Sequence, residues 1–263
     1  MGCSRETILS VLEKLAPTRL AESWDNVGLL LDPTGRSTFE RALVTIDLTD
    51  AVLDEALRLG ADLIVAYHPP IFSGLKRLRY AEAKERVVLR AICEKLTIYS
   101  PHTALDAVAG GMSDWLAGAL GPGQVEPIVA NASDPKAGAG RFVQLDQPLG
   151  IEQAAALIKA HLGLSQLRVG APSQAFSIKT MAVCPGAGGA IFERLGAVDL
   201  LLTGEMRHHD VLERVACGSY VILTEHTNSE RGYLPQLAKE LATACTGLAV
   251  FVAEADADPL TVI

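Results

Sequence analysis

Six histidines stand in this chain: His68, His102, His161, His208, His209 and His226. Three of them close apolar runs. His68 follows LIVAY, His102 comes two residues after TIYS, and His226 follows VILTE. If those runs are strands of an open parallel sheet, their carboxyl ends are where ligands bind. Two of the three have a carboxylate four residues on, Asp106 in SPHTALD and Glu230 in EHTNSERG. That spacing places both side chains on one face of a helix. Imidazole with carboxylate is a nitrogen–oxygen donor set for divalent zinc, iron, manganese, cobalt or nickel. The competing reading of either pair alone is an acidic residue facing a helix dipole beside a histidine bonded to backbone. Two pairs together with His68, all at expected strand ends, favour metal. His161 closes a helix before Gly163 and reads instead as a structural cation at a helix C-terminus.

TGEMRHHD adds Glu205, His208, His209 and Asp210 after another apolar run. Glu205 and His209 are candidate catalytic groups: a further ligand, a general base, or a carboxylate orienting a ligand imidazole. A plain helix start accounts for them equally well. CPGAGG, from Cys184 to Gly189, is either a tight turn or a phosphate cradle, and matches no nucleotide fingerprint. Trp24-Asp25-Asn26 lies in an expected polar loop. Its indole either walls a cleft or is buried under a capping turn. No nucleophile elbow and no clustered cysteines are found, and the five cysteines are scattered as in reduced, disulfide-free proteins.

The elements that must carry these residues alternate in type. Strands are expected near 42–48, 63–67, 97–100, 141–145, 178–184, 198–203, 219–225 and 248–253. Helices are expected near 5–16, 51–59 (with Asp50 as cap), 81–95, 111–119, 151–161, 189–195, 206–216 and 229–243. Such alternation indicates α/β units with parallel sheets flanked by helices. Residues 121–140, rich in Gly, Ala and Pro, read as a linker between two similar α/β lobes, 1–124 and 125–263.

The chain has 263 residues and a formal charge of −8, with 49% hydrophobic residues. This excludes a disordered chain and disfavours direct nucleic-acid binding, which needs a positive footprint. The cluster Lys76, Arg77, Arg79 is too short for a phosphate track. No run approaches the roughly 18 apolar residues of a membrane span. The opening MGCSRETILSVLEKLAP reads as neither secretory signal nor myristoylation site, so a cytoplasmic location is expected. A mean hydropathy of +0.25 fits apolar surface shared between subunits.

Taken in order, WDNVGLLLD, YHPPIFSGLKRL, SPHTALDAVAGGMSDWLA, LTGEMRHHDVL, VILTEHTNSERGYLP and the terminal DADPL form a specific set. Together they resemble the NGG-interacting-factor-three-like family, whose bacterial members are described as GTP cyclohydrolase I type 2. The resemblance runs from about residue 22 to 260. It implies two α/β lobes with a dinuclear metal site in the interlobe cleft, a homo-oligomer (ring hexamer or dimer), and no inserted middle domain. It also implies hydrolysis of a nucleotide-like small molecule, or alternatively a non-catalytic metal-handling or transcription-regulator-binding role. The implied metal ligands are His68, Asp106, His226 and Glu230, with His102 a ligand or a neighbour. The YHPP form places Tyr67 where many bacterial members have a first histidine. A neutral phenol is a poor ligand, so one of the two metal positions is expected to be weaker or to lack a protein ligand.

Overall fold

The computed structural model describes residues 2–261. Two compact units are present: the chain up to Leu105 together with the chain from Tyr233 onward, and Asp106–Gly232. The expected division after residue 124 is therefore replaced by one in which the C-terminal segment returns to the first unit. A cut at 124 would fall inside a strand, Gly123–Asn131.

In the first unit, four parallel strands and one antiparallel edge strand form a five-stranded sheet. Its order is Ala249–Val252, Arg41–Thr45, Leu63–Ala66, Thr97–Ser100, Gly28–Leu31. Registers such as Val252↔Val44, Val44↔Val65 and Val65↔Tyr99 align the central strands, which are buried apart from Arg41 at the start of one. Burial on both faces explains why their sequences are continuous apolar runs rather than alternating ones. The edge strand Gly28–Leu31 lies where a loop was expected, with Gly28 opposite Ser100. Helices Arg5–Leu15, Asp50–Leu59, Ala83–Cys93 and Leu234–Ala244 belong to this unit. Thr49, not Asp50, caps the second of these, its side chain accepting the Val52 N–H. The C-terminal tail is fastened by carboxylates. Asp256 accepts the Ile46 N–H at 2.7 Å, and buried Glu55 accepts those of Glu254 and Ala255.

The second unit has a six-stranded sheet ordered Gly123–Asn131, Asp134–Leu149, Ile178–Ala187, Leu200–Glu205, Tyr220–Leu223, Arg168–Gly170. Its three central strands Ile178–Ala187, Leu200–Glu205 and Tyr220–Leu223 are parallel, and the outer pairings are antiparallel. Val143, Ile158, Met181, Leu202 and Ile222 form its core under the helix Ile151–Leu162. The segment expected as a linker is instead a hairpin. Its small residues are demanded by close approach. A Cβ on Gly138 would lie 2.0 Å from the Val129 carbonyl oxygen.

His161 keeps its structural role but loses the cationic one. Its ring lies 4.5 Å from that of Trp115. Burial pushes the imidazole below its usual pKa, against a smaller opposing hydrogen bond with the Trp115 backbone. The folded state therefore binds fewer protons than the unfolded state just below the unfolded histidine pKa of about 6.5, and stability falls as pH drops through that value. His161→Gln should flatten the decline in urea midpoint between pH 7 and pH 5. An unchanged slope would count against this account. No helix among the described residues is long and apolar enough to cross a membrane.

Candidate metal centre

Each unit brings imidazoles and carboxylates to the carboxyl ends of its parallel strands, as the sequence led one to expect. In the first unit, His68 follows the strand Leu63–Ala66 and His102 opens the helix His102–Ala107 just after Thr97–Ser100. Their rings lie 5.3 Å apart at 80°. The buried Tyr67 ring sits 4.9 Å from that of His68 and 5.4 Å from that of His102. His68 Nδ1 is 3.0 Å from Asp47 Oδ1, and His102 Nδ1 is 2.7 Å from Asp25 Oδ1. The Asp25 side chain is wholly buried. Burial pushes its carboxyl pKa up, but hydrogen bonds from His102, Thr103 and the Asn26 N–H outweigh this and hold it below the usual carboxylate range.

In the second unit, Glu205 ends the strand Leu200–Glu205, and His226 and Glu230 flank a single 3₁₀ turn, Thr227–Ser229. The helix expected from 229 begins only at Leu234. The spacing of four still brings the pair together: His226 Nε2 is 3.6 Å from Glu230 Oε1. Glu230 is 1% exposed. His226 Nδ1 is 2.8 Å from Glu205 Oε1. Glu205 thus faces the His226 ring, the contact that a carboxylate orienting an imidazole would make. The turn at Gly186 is pinned beside these groups. Ser229 Oγ accepts the Gly186 N–H at 2.8 Å and donates to the His226 carbonyl, while Thr203 Oγ1 donates to the Gly186 carbonyl.

Three imidazoles thus share one arrangement. A carboxylate faces Nδ1, which fixes the ring and leaves Nε2 as the nitrogen for another partner. This is the usual support of metal-binding histidines. Backbone strain accompanies it. His102 has φ +27° and Glu225, the residue before His226, has φ +69°. Left-handed torsions at non-glycine residues persist where surrounding structure enforces them.

Asp106 lies half-buried on the helix His102–Ala107, four residues after His102. His209 is exposed on the helix His208–Ala216, its ring 5.3 Å from that of His208. Among the described residues, no hydrogen bond joins His209 to Glu205, His226 or Glu230.

A family model for Duf34/NIF3 (NGG1p interacting factor 3) matches residues 3–259. The chain belongs to the Duf34/NIF3 family. It is 39% identical to NIF3-like protein 1 of Drosophila melanogaster, across 100% of this chain and 90% of the fly protein. It is 37% identical to NGG1-interacting factor 3 of Saccharomyces cerevisiae, across 98% of this chain and 96% of the yeast protein. In fold it is similar to a crystal structure of a Bacillus cereus protein related to NIF3, with a TM-score of 0.87, 99% of both chains covered and 19% identity.

Sequence reasoning missed two orienting carboxylates of this Duf34/NIF3 chain, Asp25 and Asp47. Asp47 had a detectable signal: it follows the strand Arg41–Thr45 and so stands at a strand end like the histidines. Asp25 lies 77 residues from its partner His102 and gave no local one.

Proposed function

We propose that this chain binds divalent metal through His68, His226 and Glu230, with Asp106 a further ligand and His102 a ligand or neighbour. We propose further that the bound metal serves hydrolysis of a nucleotide-like small molecule. The observation that carries the reading is the shared arrangement of three imidazoles held at Nδ1 by Asp47, Asp25 and Glu205. His226 with Glu230 in the second unit, and His68 in the first, are donors of the kind that hold such an ion.

The residues fit such a group. His226 Nε2 and Glu230 Oε1 are separated by 3.6 Å, close to the spread of two donors bonded to one ion at about 2.0–2.2 Å. Gly186 leaves the space beside both atoms open, because a Cβ there would lie 2.8 Å from each. When bound, a divalent ion supplies a water acidic enough to act as nucleophile at neutral pH and a charge that stabilises oxyanions. The chain's own residues do the rest. Glu205, Asp25 and Asp47 would hold each imidazole in the tautomer whose Nε2 carries the lone pair a metal needs. Tyr67, buried against His68 and His102, offers a phenol where a histidine would offer a ring nitrogen, which favours unequal occupancy of two metal positions. His209, on an exposed helix start, is our candidate for exchanging protons with solvent.

A second reading, a partner-binding factor, matches the name of the yeast relative. It is favoured by exposed Leu75, Leu78 and Tyr80. Elemental analysis of chelator-free protein separates the two. We expect between one and two ions per chain, lost in His226→Ala and Glu230→Ala with the fold retained. Glu205→Gln should weaken metal affinity by about 10–100-fold, since it removes only the orienting charge. Nucleotide hydrolysis should fall with metal content. Absence of bound metal after adding zinc, manganese or iron would overturn the proposal.

A further inference from the structure

The motif Trp24-Asp25-Asn26 is only partly used by the metal site, through Asp25. Its outer residues have a purpose of their own. The indole of Trp24 is not buried under a turn, since 57% of the residue is exposed. Phe72, from the YHPPIF motif, is 51% exposed. Large aromatic rings left in water are costly, and these two are held together. Their centroids are 6.0 Å apart at 50°. Both meet His102 edge-on, Trp24 at 6.1 Å and 75°, Phe72 at 6.4 Å and 74°.

The surrounding hydrogen bonds make this arrangement deliberate. Asn26 Nδ2 donates to the Ile71 carbonyl, clipping the segment that carries Trp24 to the segment that carries Phe72. Asp25, between them, accepts from the Thr103 N–H and hydroxyl as well as facing His102. Three consecutive residues therefore present one ring, face one imidazole and tether the backbone next to the second ring.

We infer that Trp24 and Phe72 form a stacking wall for the planar heteroaromatic ring of the substrate, beside the imidazole of His102. The inference rests on the nucleotide-like reading above and adds the residues that would recognise the base. The two rings, 6.0 Å apart and tilted at 50°, touch one another and offer one continuous aromatic surface beside His102. Aromatic faces accept any planar base, typically with about 1–3 kcal/mol per stacked base, and Trp24 and Phe72 are positioning residues by this argument. Selection among bases would fall to polar groups elsewhere.

The chain has two tryptophans, so Trp115→Phe leaves Trp24 as the sole indole. In that background, guanosine, adenosine and cytidine 5′-monophosphates are titrated against ribose 5-phosphate, which lacks a base. At least one nucleotide should quench Trp24 fluorescence saturably, and ribose 5-phosphate should not. Calorimetry on the otherwise unchanged chain should show at least about tenfold weaker nucleotide binding in Trp24→Ala and Phe72→Ala, with Trp24→Phe recovering most of it. Metal content should be unchanged in all three variants. No quenching by any nucleotide, equal binding of ribose 5-phosphate, or unaltered affinity in Phe72→Ala would overturn the wall. So would a Trp24 emission that shifts with protein concentration, which would mean that a second copy covers it. Metal bound without quenching would sink this inference alone. Quenching in a chain that holds no metal would sink the metal reading and leave the wall standing.

Discussion

Asp114→Ala should lower the unfolding free energy of this chain by about 3 kcal/mol, the low end of the cost of leaving a buried charge unpaired. The charge is Arg141, which is 1% exposed. Asp114 grips it at both edges, Oδ1 to Nε at 2.8 Å and Oδ2 to Nη2 at 2.9 Å. The remaining donors are used as well. Nη1 donates to the carbonyls of Gly138 and Gly140, and Nη2 to those of Ala107 and Val108. One guanidinium thus ties the hairpin to the segment entering the second unit. Removing the carboxylate strips the counter-charge and leaves the guanidinium where water cannot replace it fully. Asp114 keeps about a quarter of its side chain in solvent, 27%, which is why the low end of the range applies.

Arg141→Lys is the sharper companion. An ammonium has three donors and no fork, so it cannot hold a carboxylate bidentately while serving four carbonyls. It should cost at least about 2 kcal/mol although the charge is kept. Urea unfolding of the full chain, followed by circular dichroism, reads both. An Asp114→Ala variant within 1 kcal/mol of wild type, by the roughly 1 kcal/mol worth of an exposed pair, would show that solvent screens this ion pair as it does surface ones.

What the sequence discloses here follows from range. The histidines at strand ends were legible because a strand buried on both faces is a continuous apolar run, and its end marks a ligand edge. Glu205 was legible for the same reason, though facing an imidazole was one of several placements open to it. The hairpin at 123–149 was hidden. Gly and Ala serve a flexible linker, but they also serve a strand that must pass within contact of a carbonyl, as Gly138 does at Val129. Composition cannot separate the two. The return of Ala249–Val252 to pair with Arg41–Thr45 was hidden because it joins segments some two hundred residues apart. The small offset at Thr49 has a simpler origin. Thr and Asp are both good caps, and adjacent ones differ only in which backbone N–H lies within reach. CPGAGG shows the limit of motif reading: both a plain turn and a phosphate cradle were open. Gly186 stands at a left-handed bend, φ +63°, as a turn requires, and a Cβ there would also crowd His226 Nε2 and Glu230 Oε1.

That position yields the largest functional effect. Gly186→Ala should abolish metal binding at His226 and Glu230, by at least about a hundredfold in affinity, while leaving the second unit folded. Gly186 has φ +63°, so alanine there carries a backbone cost of about 1 kcal/mol. A domain can absorb that. The site cannot absorb the methyl group. It would lie 2.8 Å from Glu230 Oε1 and 2.8 Å from His226 Nε2, the two atoms that would converge on the proposed ion. Nor can either side chain readily swing aside, because Glu230 is buried and His226 is held through Nδ1 by Glu205. Relief by moving the turn would break the Ser229 and Thr203 hydrogen bonds that pin it. The variant therefore separates geometry from donor chemistry: every candidate ligand remains, and only the volume between them is filled. Elemental analysis and competitive metal titration should show the loss, with thermal unfolding of the metal-free protein shifted only slightly. If Gly186→Ala retained wild-type metal content, the ion would have to sit elsewhere, and His226 and Glu230 would revert to a structural ion pair.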